Sequence, residues 1–338
     1  MIETNHPVWV EPEGMGMSTT PKYVKIAKAV YVCSVRSGMP RYRSKYSKKI
    51  FDQWIWVVLL VLRQYERKDY RDFVDWLEIA IPITEYLELK RIPHYTSLQK
   101  ASTRMDSIWL RRIIARFIRE RDSEENRIVG IDSTGYRLDH ASRYYETRLN
   151  YKGNKRKLRR RYLKSTISVD LDKQIIVGYK QRRGPANDCL DFPNVVKNTH
   201  RAMHASIYIA DKGYDSEKNH KLVRDTIGAH LIIPPRNIGV PIHRTKGRYR
   251  KEMKKGYDKD AYNNRAKVET VNSVVKRKMG DNINSKKVST QNRELEFRYI
   301  AYNARRSVQN NLFLLYVRMS TEHHSQKLLI NTSRFVSR

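Results

Sequence analysis

The sequence predicts an α/β chain with an all-helical N-terminal module, and three observations carry that expectation. Between Ile50 and Leu62 apolar residues fall at 50, 51, 54, 55, 58, 59 and 62, the spacing of one buried helix face. Further on, β-branched and aromatic runs end in an acid or a glycine turn, and two of them are separated only by the turn around Asp172-Lys173. After that hairpin, strand-like runs alternate with amphipathic stretches of helix length, the order of a mixed sheet with helices on its faces.

Taken in order, residues 1–47 are polar and basic with prolines at 7, 12, 21 and 40, and read as a partly ordered arm. Residues 48–122 read as the helical module. After the first helix, Tyr70, Phe73, Val74 and Leu77 continue the helical spacing until Pro82 ends it. Pro93 to Ser97 is a turn into another helix, capped by Thr96 or Ser97, and His94 there has a structural role. Met105, Ile108, Trp109, Ile113 and Phe117 mark one more amphipathic helix. Residues 127–310 read as the α/β region, with strands at 128–134, 163–170, 174–180, 206–210 and 230–233. Its expected helices are 190–199, 216–226, 262–279 and 293–309, with Gly280 ending the third. Residues 311–338 form a tail.

Composition narrows the partner. With 68 Lys+Arg against 35 Asp+Glu the chain carries +33, a field that calls for a polyanion. The longest apolar run, Trp54 to Leu62, is nine residues, short of the roughly 20 that span a bilayer. Nucleic acid is therefore the expected partner, not a membrane. Cys33 and Cys189 form no C-x-x-C pair, so neither a zinc site nor a disulfide framework is expected, and both suit a reducing compartment. No charged-then-apolar leader is seen, which sets the expectation of a cytoplasmic, nucleoid-associated protein. His323-His324, in the polar tail, reads as solvated.

Residues 262–276 contain Tyr262, Arg265, Glu269 and Lys276 in the pattern Y-x2-R-x3-E-x6-K. At about 100° per residue they fall at roughly 0°, −60°, −20° and −40° on a helix, one narrow stripe. Val268, Val271 and Val275 lie opposite, where a helix buries them. An i, i+4 ion pair explains Arg265 with Glu269, but not Tyr262 and Lys276 as well. Upstream, Ile128 to Gly135 reads as a buried strand leading to Asp132, and Ile207 to Ser216 repeats the design around Asp211. Asp215 reads as a helix N-cap, and Asp139, Glu146, Asp170 and Asp172 as loop or surface acids.

The Y-x2-R-x3-E-x6-K helix, the D-S-T segment at Asp132 and the D-K-G-Y-D segment at Asp211 together resemble the DDE transposases of prokaryotic insertion sequences. The resemblance implies a ribonuclease-H-like fold in which the two aspartate strands lie side by side and the glutamate helix packs across them. It implies that Asp132, Asp211 and Glu269 are the catalytic residues and hold two Mg²⁺ ions, for which Mn²⁺ can substitute, with Asp132 bridging both. Such a site hydrolyses DNA at the element's ends and then uses the freed 3′-hydroxyl to attack target DNA. Arg265 and Lys276 are then phosphate clamps, Tyr262 a phosphate or base contact, and Lys212 and Tyr214 line the same cleft. The helical module becomes a candidate for recognition of the terminal inverted repeats, the alternative being a cap that only packs on the core. Asn187-Asp188 also resembles a family feature, although capping of the next helix suffices for it. A homodimer or higher synaptic assembly on two DNA ends is expected.

Two basic runs lie inside the α/β region. Arg143 to Lys164 holds ten Lys/Arg with four interleaved tyrosines, including Lys155, Arg156, Lys157, Arg159, Arg160 and Arg161. Arg236 to Lys255 holds eight, including Arg248, Arg250 and Lys251, with Glu252 as the one acid. Cations alternating with aromatics suit phosphate tracking and base stacking, so DNA contact is expected of both. Two other readings stand beside the transposase: a structure-specific nuclease on the same fold, and a relic that binds DNA without cutting it.

Overall fold

The computed structural model describes residues 20–118, 127–138, 162–184 and 186–310. Six N-terminal helices come first: α1 Lys22–Arg36, α2 Gln53–Tyr65, α3 Tyr70–Ile79, α4 Ile81–Tyr86, α5 Tyr95–Arg104 and α6 Ser107–Ala115. The first corrects the expected irregular arm. Lysines 22, 25 and 28 make α1 look like a solvated run, yet Ile26, Ala27, Val30 and Cys33 on the same helix are buried. At the head of α5 the cap is His94, whose Nδ1 accepts from the Thr96 backbone N–H at 3.4 Å, in place of Thr96 or Ser97.

The α/β region runs β1 Ile128–Leu138, β2 Tyr162–Asp170, β3 Ile175–Arg183, α7 Phe192–Ala202 and β4 Ile207–Ala210. It continues with α8 Glu217–Lys221, a π-helical turn Leu222–Ile227, β5 His230–Ile232, α9 Arg248–Lys255, α10 Lys259–Asn263 and α11 Ala266–Met279. A short β6 Asn282–Ile283 and the long α12 Val288–Gln309 complete it. The sheet order is β3-β2-β1-β4-β5, with β6 on the far end of β1. The first three strands are antiparallel, with β2 and β3 joined by the expected hairpin, while β1, β4 and β5 run parallel. This is the expected mixed sheet flanked by helices, with a helical module before it.

Helix α12 ties the two parts together. It packs on α1, α2 and α6 of the module and on β3 of the sheet. Glu296 accepts from the Ser107 hydroxyl at 2.8 Å and from the Tyr179 hydroxyl at 2.9 Å, so a single buried carboxylate joins α6, α12 and β3. Arg298 donates to Gln64 Oε1 at 3.0 Å and to the Gly280 carbonyl at 2.7 Å, linking α2 to the end of α11. Gly280 ends α11 at φ +94°, as the sequence predicts.

Candidate active site

Parallel pairing fixes the first two acids. Ile131 of β1 is in register with Ala210 of β4, so Asp132 and Asp211 are the next residues along neighbouring strands. Strands pair about 4.8 Å apart, which brings the two aspartates side by side where β4 ends but midway along β1, since β1 continues to Leu138 beyond the expected 134. Asp211 accepts from the Lys212 backbone N–H at 2.8 Å, capping the short turn that follows.

Glu269 arrives from α11, which is laid across β1 by its apolar back. Val268, Val271 and Val275 are fully buried, as expected. Gly130 makes the close approach possible: a Cβ there would stand 2.3 Å from Val268 Cγ2 and 2.8 Å from Leu171 Cδ2. The expected single helix over 262–279 is two pieces: the backbone N–H groups of Asn264 and Arg265 bond three residues back, to Ala261 and Tyr262, and the Asn264 amide reaches the Asp260 carbonyl at 3.2 Å. Asn264 and Arg265 nevertheless keep right-handed helical dihedrals. Tyr262, on α10, therefore stays beside the stripe, with the Arg265 guanidinium 6.0 Å from its ring centre.

Arg265 is the electrostatic centre. Its Nη2 lies 2.6 Å from Glu269 Oε1 and its Nη1 lies 3.9 Å from Asp132 Oδ1. Burial works against its charge, but Tyr262, Glu269, Asp211 and Asp132 together hold its pKa above the usual value. Burial raises the pKa of Asp132, partly offset by the Ser133 backbone N–H, Arg265 and an amide from Asn272. Burial lowers that of Lys276, whose Nζ sits 5.3 Å over the Tyr136 ring and feels Asp281 and Asp132. One small region thus holds three carboxylates, two cations and a phenol.

Some expected residues are placed elsewhere. Tyr214 is 1% exposed and packs on Phe192, so it is a core residue and not a cleft contact. Asp215 does not cap: Ser216 accepts from the Asn219 N–H, while Asp215 binds Arg250 at 2.8 and 2.9 Å. That pair anchors α9 and already engages the Arg250 guanidinium, which is 23% exposed. Asp170 is no surface acid but lies buried 3.9 Å from Arg127. Arg248 and Lys251 line an open cleft with His243 and Lys255, and Lys212 is exposed beside Asp211. The segment holding Lys155, Arg156, Lys157, Arg159, Arg160 and Arg161 lies outside the described residues, as do Asp139, Glu146 and His323-His324.

Sequence reasoning missed two polar residues here. Asn272 donates to Asp132 Oδ2 at 3.2 Å. It falls at roughly −80° on the same helical projection, so the stripe already contained it. Asp188 caps no helix: Asn187 accepts from the Cys189 N–H at 3.1 Å and caps the short turn Asp188–Leu190, while Asp191 stands at the N-cap of α7. The Asp188 carboxylate instead accepts from Ser133 at 2.8 Å and from the buried Lys164 at 2.5 Å. Asp188 thereby braces the strand immediately after Asp132.

A family model for the transposase DDE domain matches residues 123–304, more than half of the chain. The chain is a DDE transposase. No curated protein matches it significantly. As a transposase it acts on DNA, which accounts for the +33 charge. No helix among the described residues is long and apolar enough to cross a membrane. The family generally uses divalent cations. Among the described residues no three His, Cys, Asp or Glu side chains converge on one point as a metal cage does. The donor set still fits such an ion: three carboxylates supply hard oxygens, and a guanidinium already stands between two of them as a cation.

Proposed function

We propose that this transposase moves an insertion sequence by hydrolysing DNA at the element's ends and then joining the freed 3′-hydroxyl to target DNA. The observation that carries the reading is the register pair Ile131–Ala210, which sets Asp132 beside Asp211, together with Arg265 linking Asp132 to Glu269. Asp132, Asp211 and Glu269 are the catalytic residues and the ligands of two Mg²⁺ ions. When bound, the ions neutralise phosphate charge and activate the attacking oxygen, work that bare carboxylates cannot do. Arg265 and Lys276 hold the phosphates flanking the scissile bond, and Tyr262 contacts phosphate or base. The half-buried setting of both cations strengthens their pull on an incoming phosphate relative to fully solvated ones. Lys212, Arg248 and Lys251, with the basic run from Lys155 to Arg161, track the DNA backbone. The helical module reads the terminal inverted repeats, and two copies or more assemble on paired ends.

The test is Mg²⁺-dependent cleavage and joining of labelled element-end DNA by wild type and Glu269→Gln. The reading predicts that wild type nicks and joins while the variant binds DNA and does neither. Nicking without joining would point to a nuclease, and equal cleavage by the variant would remove Glu269 from the site.

A further inference from the structure

One turn beyond Glu269, α11 carries a polar residue that the proposed reaction does not use. Asn272 is 5% exposed, and its Nδ2 donates to Asp132 Oδ2 at 3.2 Å. Its Oδ1 is buried and meets no donor among the described residues. A buried amide with half its capacity unmet is less stable than an apolar side chain of the same size. The position adjoins Val268, Val271 and Val275, all fully buried, where leucine would extend the packing. Stability therefore gives no reason for asparagine here, and its contact with Asp132 does.

That contact controls orientation. An aspartate turns broadly about χ2, so one contact leaves it free to present either oxygen. Beside the Ser133 backbone N–H, Asp132 has one contact from α11 and one from its N-cap residue: Asn272 on Oδ2 and Arg265 on Oδ1, the latter at 3.9 Å. With Oδ2 occupied, Oδ1 is directed to the region where Arg265 also meets Glu269. We propose that Asn272 is a positioning residue of this transposase, holding Asp132 so that Oδ1 is presented to a divalent cation. The proposal rests on the reading of Asp132 as a cation ligand. Partners of this outer kind change metal affinity or activity by about 10–100-fold when removed.

Mn²⁺ titration of the full chain, followed by the paramagnetic resonance of free Mn²⁺, tests it on wild type, Asn272→Leu, Asn272→Gln and Asp132→Asn, alongside metal-free thermal melts. Leucine keeps the branching at Cγ and loses the donor, although it is the larger side chain; glutamine keeps a donor on a longer stem. The expected result is a Kd for Mn²⁺ raised about 10–100-fold in Asn272→Leu. Its metal-free Tm stays equal or rises, and Asn272→Gln recovers part of the affinity. Equal affinity in wild type and Asn272→Leu overturns the proposal while Asp132 stands. Weaker binding with a lowered metal-free Tm and no recovery by glutamine also overturns it, because the role is then only structural. Wild-type binding that is undetectable, or unchanged by Asp132→Asn, overturns the cation-ligand reading and this proposal with it.

Discussion

Arg265 Nη2 stands 2.6 Å from Glu269 Oε1, one turn along the chain from the residue it neutralises. An exposed i, i+4 pair of this kind contributes only a few tenths of a kcal/mol to a helix. This one differs in having a second partner, Asp132, on a strand more than a hundred residues upstream. Arg265 is thus positioned by the acids and available to a phosphate entering between them.

Replacing Arg265 tests that role. Arg265→Lys keeps the charge but loses the planar fork, so it should not behave as a conservative change. Cleavage of element-end DNA should fall about 10²-fold or more in Arg265→Ala, the scale of losing one preorganised charge-stabilising group, and partly so in Arg265→Lys. Single-turnover rates on intact and pre-nicked ends check it, since the proposed clamp would act on phosphate in both steps.

Gly130 offers a test of the packing that delivers Glu269. Gly130→Ala puts a methyl 2.3 Å from Val268 Cγ2, a distance that forces the β-branched Val268 side chain, or α11 with it, to shift. Overpacking of this kind costs roughly 1–3 kcal/mol. Thermal melts should show that loss, and cleavage should fall further than stability alone explains because Glu269 moves with the helix. Full activity at reduced Tm would mean that the site tolerates the displacement.

The parts of this arrangement that were legible in the sequence are those set by local pattern. Apolar runs leading into acids placed Asp132 and Asp211 on neighbouring strands, helical spacing placed Glu269 with its neighbours on one stripe, and the joint resemblance of the three segments singled them out. What escaped depends on distant partners. Tyr214 and Arg250 look like cleft residues until Phe192 and Asp215 are seen to engage them. The buried side of α1 was hidden by its lysines, and α9 by being almost wholly charged. The break between α10 and α11 is a local tightening to i, i+3 backbone bonds at Asn264 and Arg265, which no periodicity records.

The two fates of the basic helix α9 separate cleanly by experiment. Arg248 and Lys251 border an open cleft, so the double alanine variant should weaken DNA binding and flatten the plot of log K against log salt by about 2. Arg250→Ala should leave that slope near wild type. It strands Asp215, 2% exposed, beside a partner that was 23% exposed, so the cost should be about 2–3 kcal/mol, the low end for a buried pair. A salt slope lowered by Arg250→Ala would show that this arginine also reaches phosphate.

Glu296 makes stability depend on pH. Burial pushes its pKa up to about 7, against donors in Ser107 and Tyr179 and the nearby charges of Arg111 and Arg293. An acid whose folded pKa is raised binds more protons folded than unfolded, so stability falls as pH rises from about 4.5 to 7 and then levels. The full effect is on the order of 3 kcal/mol. His220, lowered to about 4 by burial, slopes the opposite way in much of the same window, so the wild-type curve conceals both. The difference between wild type and Glu296→Gln isolates the first. Denaturant melts at pH 5 and pH 7.5 should find the variant relatively more stable at the higher pH. A pH-independent difference would mean that Glu296 is charged throughout and paired by Arg111 and Arg293, making the joint between helical module and sheet ionic.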